Sequence, residues 1–256
     1  MDGAINQTFR RYEKKYLLTA EQLGALRKGL EPRMEADRFH ETTVCSVYFD
    51  TDRYDLVRAS LEQPVYKEKL RVRSYGVPEG PGSPCFVEIK KKLRGEVFKR
   101  RAEMTVAEAA GYLAGVSRPD GGQDLGELDW FLRRYGHPGP KLFLACEREA
   151  LVGRDMPDLR VTFDRNIRWR ADRLDLLAGD DGEAVLPPGK FLMEVKIPGA
   201  APFWLARLMS ELELRPASYS KYGTVYRENL VRPVFANPAT SKNIRPMPEN
   251  GVLHYV

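Results

Sequence analysis

Histidine and cysteine are nearly missing from this chain. Its 256 residues include three histidines, His40, His137 and His254, and three cysteines, Cys45, Cys85 and Cys146. So small a set of scattered imidazoles is a poor basis for histidine general acid–base catalysis. The cysteines are odd in number, widely spaced and set in apolar, strand-like stretches. That argues against a disulfide framework or a zinc site and for a reducing, cytoplasmic compartment. No segment approaches about 18 uninterrupted apolar residues, and the opening "MDGAINQTFRRYEKKYLL" lacks the apolar core of a signal peptide, so neither membrane spanning nor secretion is expected. Contact with a membrane would need a membrane-protein partner. Walker A, Gly-x-Gly-x-x-Gly and Gly-x-Ser-x-Gly loops are absent, as is a Cys/His pair. Net charge is only +5, from 41 basic against 36 acidic residues. Any strong positive field must therefore come from local arrangement.

What the chain does have is a series of basic strands. In "YKEKLRVRSYG", Lys67, Lys69, Arg71 and Arg73 occupy every second position and so share one face of a strand. Further strand patterns are "FRRYEKKYLL", "TVCSVYFDT", "CFVEIKKKL", "EVFKRRAEM", "KLFLACEREALV", "LRVTFDRNIRWR" and "KFLMEVKIP". "GVPEGPGSP" reads as a hairpin loop and "LRG" as a tight turn, which makes neighbouring strands antiparallel. Four helices punctuate them. Capping boxes at Thr19/Gln22 and Thr105/Glu108 open two, "LGELDWFLRRYG" is a third, and Pro202 stands near the start of a fourth. The expected fold is α+β, an eight-stranded antiparallel β-barrel tunnel flanked by helices and wide enough for one ligand. The expected layout is one domain over 1–229 and a Pro-rich extension over 230–256.

The charge pattern recurs from strand to strand. Arg11, Glu13 and Lys15 share a face, as do Glu88, Lys90 and Lys92; Lys99 and Arg101 follow, then Arg148, then Arg160 with Thr162 and Asp164, then Glu194 and Lys196. A solvated sheet face alternates in the same way on any one strand, but normally mixes polar types and charge signs more evenly over a set. The expectation is an inverted barrel with an apolar exterior and a charged interior. Cations about 4 Å apart repel by about 1 kcal/mol per pair even in water, so such an interior requires a counter-anion. A linear polyphosphate, or ATP or another triphosphate, fits the donors of Arg and Lys, with glutamates holding Mg²⁺ or Mn²⁺ against phosphate oxygens. Nucleic acid is disfavoured because the basic strands lack interleaved aromatic platforms. Tyr48, Tyr75, Tyr219 and Tyr222 read as packing residues, Asp50, Asp52 and Asp55 as a solvated turn, and Trp130 and Trp204 as core.

The strings "RRYEKKYLL", "SVYFDT", "LRVRSYG", "FVEIKKKLRGEVFKRR", "CEREAL", "LRVTFDR", "FLMEVKI" and "SYSKYG", in that order, resemble the VTC domain of the vacuolar transporter chaperone polyphosphate polymerases, a branch of the triphosphate tunnel metalloenzymes. The resemblance runs from about Phe9 to Tyr226. It implies that Arg71, Arg73, Lys90, Arg148 and Arg160 grip phosphate around Glu194, the metal-binding glutamate. Lys15, Lys69, Lys99, Arg101, Lys196 and Lys221 supply further substrate contacts, and Glu13 and Glu88 are further candidate metal ligands. Two departures stand out. Arg11 replaces the first carboxylate of the superfamily's Glu-x-Glu-x-Lys opening, and Ala217 and Ser218 stand where the polymerases carry a further lysine, which implies one phosphate contact fewer.

Phosphoryl transfer needs in-line positioning and charge neutralisation more than a protein nucleophile. The ionised end of a growing chain could attack the γ-phosphorus of ATP directly, with a divalent metal and the arginines stabilising the transferring group. The expected function is a metal-dependent polyphosphate polymerase. The alternatives are a triphosphatase or polyphosphatase using water in the same tunnel, and a non-catalytic polyphosphate or inositol-phosphate sensor.

Overall fold

The structure, a computed structural model, describes residues 11–94, 96–120 and 122–231. Apart from residues 230 and 231, the expected C-terminal extension lies outside the described residues. Strands β1 (Arg11–Leu18), β2 (Met34–Asp50), β3 (Tyr66–Tyr75), β4 (Pro84–Leu93), β5 (Glu96–Thr105), β6 (Gly139–Gly153), β7 (Arg160–Arg170), β8 (Glu183–Ala184) and β9 (Phe191–Pro198) form one antiparallel sheet. The order is β1-β9-β7-β6-β2-β3-β4-β5, with the two-residue β8 beside β7. Helices α1 (Ala20–Leu30), α2 (Asp55–Leu61), α3 (Val106–Leu113), α4 (Gln123–Arg134), α5 (Phe203–Glu211) and α6 (Lys221–Val225) complete the fold.

Backbone pairing does not confirm the expected closed barrel. Among the described residues no ladder joins β1 to β5, so the sheet has two free edges. It nevertheless curls, as right-handed strand twist favours. Residues of β1 and β5 approach within 8 Å at Cα, and Lys90 of β4 reaches across to Glu13 of β1, Nζ to Oε2 2.9 Å. Side chains bridge what backbone pairing leaves open.

Strand β3 shows how the sequence sets the faces. Glu68, Leu70, Val72 and Ser74 are buried, and the alternate Lys67, Lys69, Arg71 and Arg73 are half-buried. The buried side faces outward, where Leu70 and Val72 join Val87 and Ile89 of β4 beneath Val106 and Ala109 of α3 and Leu125, Leu128 and Phe131 of α4. A second apolar cluster covers the other half of the sheet, joining Val161, Met193 and Val195 to Leu23 and Leu26 of α1 and Leu205 of α5. Burying those faces, at roughly 25 cal/mol per Å² of apolar surface, obliges the intervening residues to point into the concave side. Both expected capping boxes are present: the Thr19 and Thr105 hydroxyls accept from the backbone N–H of Gln22 and Glu108, whose side chains accept in return from the N–H of Thr19 and Thr105. Trp130 is no core residue; it is 47% exposed, with the Arg134 guanidinium 5.0 Å above its ring.

Helices α2 and α6 are too short to show a 3.6-residue pattern in the sequence, and buried Asp50 assembles both. Its carboxylate accepts from the backbone N–H of Thr51, Leu56 and Val57 and from the Tyr222 hydroxyl. The reading of Asp50 as part of a solvated turn is thereby corrected. Among the described residues no helix is long and apolar enough to cross a membrane.

Candidate functional site

The concave face encloses a cavity of about 530 Å³. Lys67, Lys69, Arg71 and Arg73 enter it from β3, Lys90 and Lys92 from β4, Glu13 and Lys15 from β1, Arg148 from β6, Glu194 and Lys196 from β9, and Lys221 from α6. Tyr48 and Ser46 of β2 and Cys146 of β6 form its floor. The alternation of charge seen along single strands thus converges on one space.

Its carboxylates and cations are linked in sequence. Asp164 of β7, fully buried, accepts from Arg148 Nε at 2.7 Å and Nη2 at 2.8 Å and from Lys221 Nζ. Lys221 lies 3.7 Å from Glu194, Glu194 lies 3.2 Å from Lys15, and Lys15 lies 3.6 Å from Glu13, which is held in turn by Lys90. Burial works against ionisation of Glu194, but Lys15, Lys221, Arg148 and Lys90 hold its carboxyl well below the usual range. Asp164 is likewise buried and likewise lowered, by Arg148 and Lys221. Glu88 belongs to a separate network, 2.6 Å from Arg71 and 3.5 Å from Lys99. Despite burial it is pulled down to about 2 by Arg71, Arg73 and Lys99.

Other cations of the cavity have no carboxylate partner among the described residues. Lys67 donates to the Ser60 carbonyl at 3.2 Å, Lys69 to Ser220 Oγ at 2.8 Å, and Arg73 to Ser46 Oγ at 3.1 Å; Lys92 and Lys196 make no ion pair there. The register sets Lys67 opposite Lys92 and Lys69 opposite Lys90, like charges face to face, which opposes pairing of those strands. Burial drives Lys69 and Lys196 down to about 8. Half of the site is thus paired internally, and the other half is positive with no carboxylate in direct contact among the described residues.

Four expected site residues, Arg160, Arg101, Lys99 and Glu88, stand outside the cavity lining. Arg160 is half-exposed at the end of β7, 3.4 Å from Asp37. Arg101 lies over the Phe86 ring, 4.3 Å from its centroid. Lys99 reaches the site only through Glu88. Among the residues that sequence reasoning did not assign to the site are Asp164, whose signal was a carboxylate sharing the Arg160 and Thr162 face of "RVTFD", Tyr48, read as packing, and Ser46 and Arg227, which line the cavity.

Among the described residues no three His, Cys, Asp or Glu side chains group so as to hold a metal by themselves. Glu13 and Glu194, which share Lys15, are a donor pair that suits Mg²⁺ or Mn²⁺ when phosphate oxygens and water complete the shell. Glu88, engaged by Arg71 and Lys99, fits a metal less well.

Comparison with solved structures shows the fold to be shared. A candidate adenylate cyclase from Bacillus halodurans aligns with a TM-score of 0.50 at 13% identity, covering 86% of this chain and 99% of its own. The PH1819 protein from Pyrococcus horikoshii aligns at 0.47 and 12%, covering 85% and 98%. No curated protein matches the chain. The VTC domain model matches residues 10–228, nearly the whole described span, and this chain belongs to the VTC domain family.

Proposed function

We propose that this protein is a metal-dependent polyphosphate polymerase that transfers the γ-phosphate of ATP to a growing polyphosphate chain within the cavity. One observation carries the reading: a carboxylate pair able to share a divalent ion, Glu13 and Glu194, adjoins a patch of cations without carboxylate partners. The first suits a metal-bridged triphosphate, and the second a longer anion with no metal of its own. Membership of the VTC family supports the same assignment.

Arg71 and Arg148 are held in place by Glu88 and Asp164, so their remaining donors are set before a phosphate arrives; such preorganisation stabilises developing charge without reorganisation cost. Lys221, tied to Asp164 and near Glu194, and Lys90, tied to Glu13, orient the transferring group. Lys67, Lys69, Arg73, Lys92 and Lys196 bind the polyphosphate chain. A Mg²⁺ or Mn²⁺ held by Glu194 and Glu13 would neutralise negative charge on the bound phosphate. Arg160 and Arg101 act at most at the mouths. The three cysteines are free and buried, which suits the reducing, ATP-containing cytoplasm; a membrane-protein partner remains part of the proposal.

The test is incubation of purified protein with ATP and Mn²⁺, with ADP, free phosphate and polymer resolved. Polymer with equivalent ADP, lost in Glu194→Gln, is the expected result. Free phosphate without polymer selects the triphosphatase or polyphosphatase, and polyphosphate binding without turnover in any metal selects the sensor.

A further inference from the structure

Tyr48 lines the cavity beside Lys69, Arg71 and Arg73 of β3. It pairs in register with Arg71, is only 8% exposed, and its Oη accepts from Arg71 Nη1 at 3.4 Å. Each neighbouring element presents a definite group to it. From β3 come Lys69, Arg71 and Arg73. From α6 comes Tyr222, ring centroids 5.1 Å apart, whose hydroxyl is turned away to Asp50 of β2. From β6 comes Cys146, whose thiol burial pushes up to about 11. Glu88 of β4 lies behind Arg71 and is spent on Arg71 and Lys99. Among the described residues no carboxylate bonds the phenol. A neutral phenol here would leave Lys69 and Arg73 with no anion in direct contact among the described residues, whereas a phenolate would supply one and share Arg71 with Glu88. Burial alone would raise the phenol, but Arg71, Arg73 and Lys69 outweigh it and bring Tyr48 down to about 7.

We propose that Tyr48 is a proton-exchanging residue of the ligand site: before an anion binds, its phenolate is the counter-ion of Arg71, Arg73 and Lys69, and when a phosphorylated anion arrives it takes up a proton and donates a hydrogen bond to a phosphoryl oxygen. The exchange rests on the phosphate-binding reading given above. It balances simply. One O–H bond forms at Tyr48 Oη, the proton comes from buffer or water, and the residue passes from −1 to neutral as the ligand supplies the negative charge; no bond to phosphorus forms or breaks.

Two measurements test the proposal separately from the phosphate reading. The first needs no ligand: ultraviolet difference titration of tyrosinate should show a single-tyrosine step near neutral pH that disappears in Tyr48→Phe, which keeps the ring packed on Tyr222, and moves to higher pH in Lys69→Gln. A wild type without that step, or a step that survives in Tyr48→Phe, overturns the proposal even if triphosphate binds. The second is calorimetric titration with inorganic triphosphate about one pH unit above that midpoint, in two buffers of different ionisation enthalpy. Because Lys69 titrates together with Tyr48, both proteins carry Lys69→Gln and the pH is set from that background's own midpoint; the protein with Tyr48 should take up about one proton more than the one with Tyr48→Phe, which subtracts proton exchange by triphosphate itself and by Lys196. Equal uptake overturns the exchange. Failure of triphosphate to bind at all, with the neutral step present, overturns the phosphate reading and the exchange on it, and leaves the phenolate counter-ion standing.

Discussion

Asp164 is the residue on which the site's charge balance depends most directly. It faces Arg148 and Lys221 from full burial, so removing its charge strands two buried cations. Breaking one partner of a buried ion pair costs about 3–5 kcal/mol. Asp164→Asn should therefore lower stability by about that amount in chemical denaturation, and inorganic triphosphate should restore part of it; an unchanged midpoint would mean that water already screens the pair. The pH dependence follows from the same residues. Asp164 and Glu194 have folded-state pKa values below their unfolded ones, so their stabilisation is complete above pH about 4 and is lost as acid protonates them. Tyr48, lowered to about 7, and Lys69 and Lys196, lowered to about 8, bind fewer protons folded than unfolded. Without ligand, stability should therefore rise from pH about 7 to about 8.5, until the buried cysteines, held up near 11 to 12, begin to oppose it. Thermal melts across that range should show the rise in wild type and a smaller one in Tyr48→Phe. The sequence placed Asp164 on a charged strand face and Tyr48 among packing residues, but their roles in the site were not legible there because they are set by partners from other strands. An aspartate in "RVTFD" and a tyrosine in "SVYFD" have ordinary local meanings, and only the fold brings Arg148 and Lys221 to one and three β3 cations to the other.

At the scale of elements, what the sequence made legible was whatever carries a period. Period-2 alternation in "YKEKLRVRSY" placed four cations on one face, and apolar spacing with capping boxes located α1 and α3. Helices α2 and α6, seven and five residues long, carry too little pattern to detect. They are fixed instead by Asp50, which joins the start of α2 to Tyr222 of α6 and so places Lys221 over the cavity. Asp50→Ala leaves several buried donors unmet at about 1–3 kcal/mol each, and should destabilise by at least about 3 kcal/mol. Hydrogen exchange should quicken in α2 and α6 before the outer cores; protection unchanged in both helices would show that they are held by packing alone. Arg160 illustrates the opposite failure. It shares the inward face of β7, but it stands at the strand's end, exposed, outside the cavity lining and 3.4 Å from Asp37.

At the scale of the whole molecule, the curled sheet separates two kinds of surface: an apolar outer face sealed by helices and a charged concave face with nowhere to bury except against a ligand. The modest net charge of +5 makes placement, more than total charge, the source of anion affinity. Binding should stabilise the fold by roughly 2.7 kcal/mol at a hundredfold excess of ligand over its dissociation constant, seen as a raised melting temperature that Arg71→Gln diminishes and the mouth variant Arg160→Gln does not. The most direct measurement of all is a crystal structure of the protein soaked with inorganic triphosphate and Mn²⁺. The expected result is phosphorus density among Lys69, Arg71, Arg73 and Lys90, with the metal against Glu194. Triphosphate bound only on the outer surface, with the concave ion pairs undisturbed, would contradict the assignment of this cavity as a phosphate site.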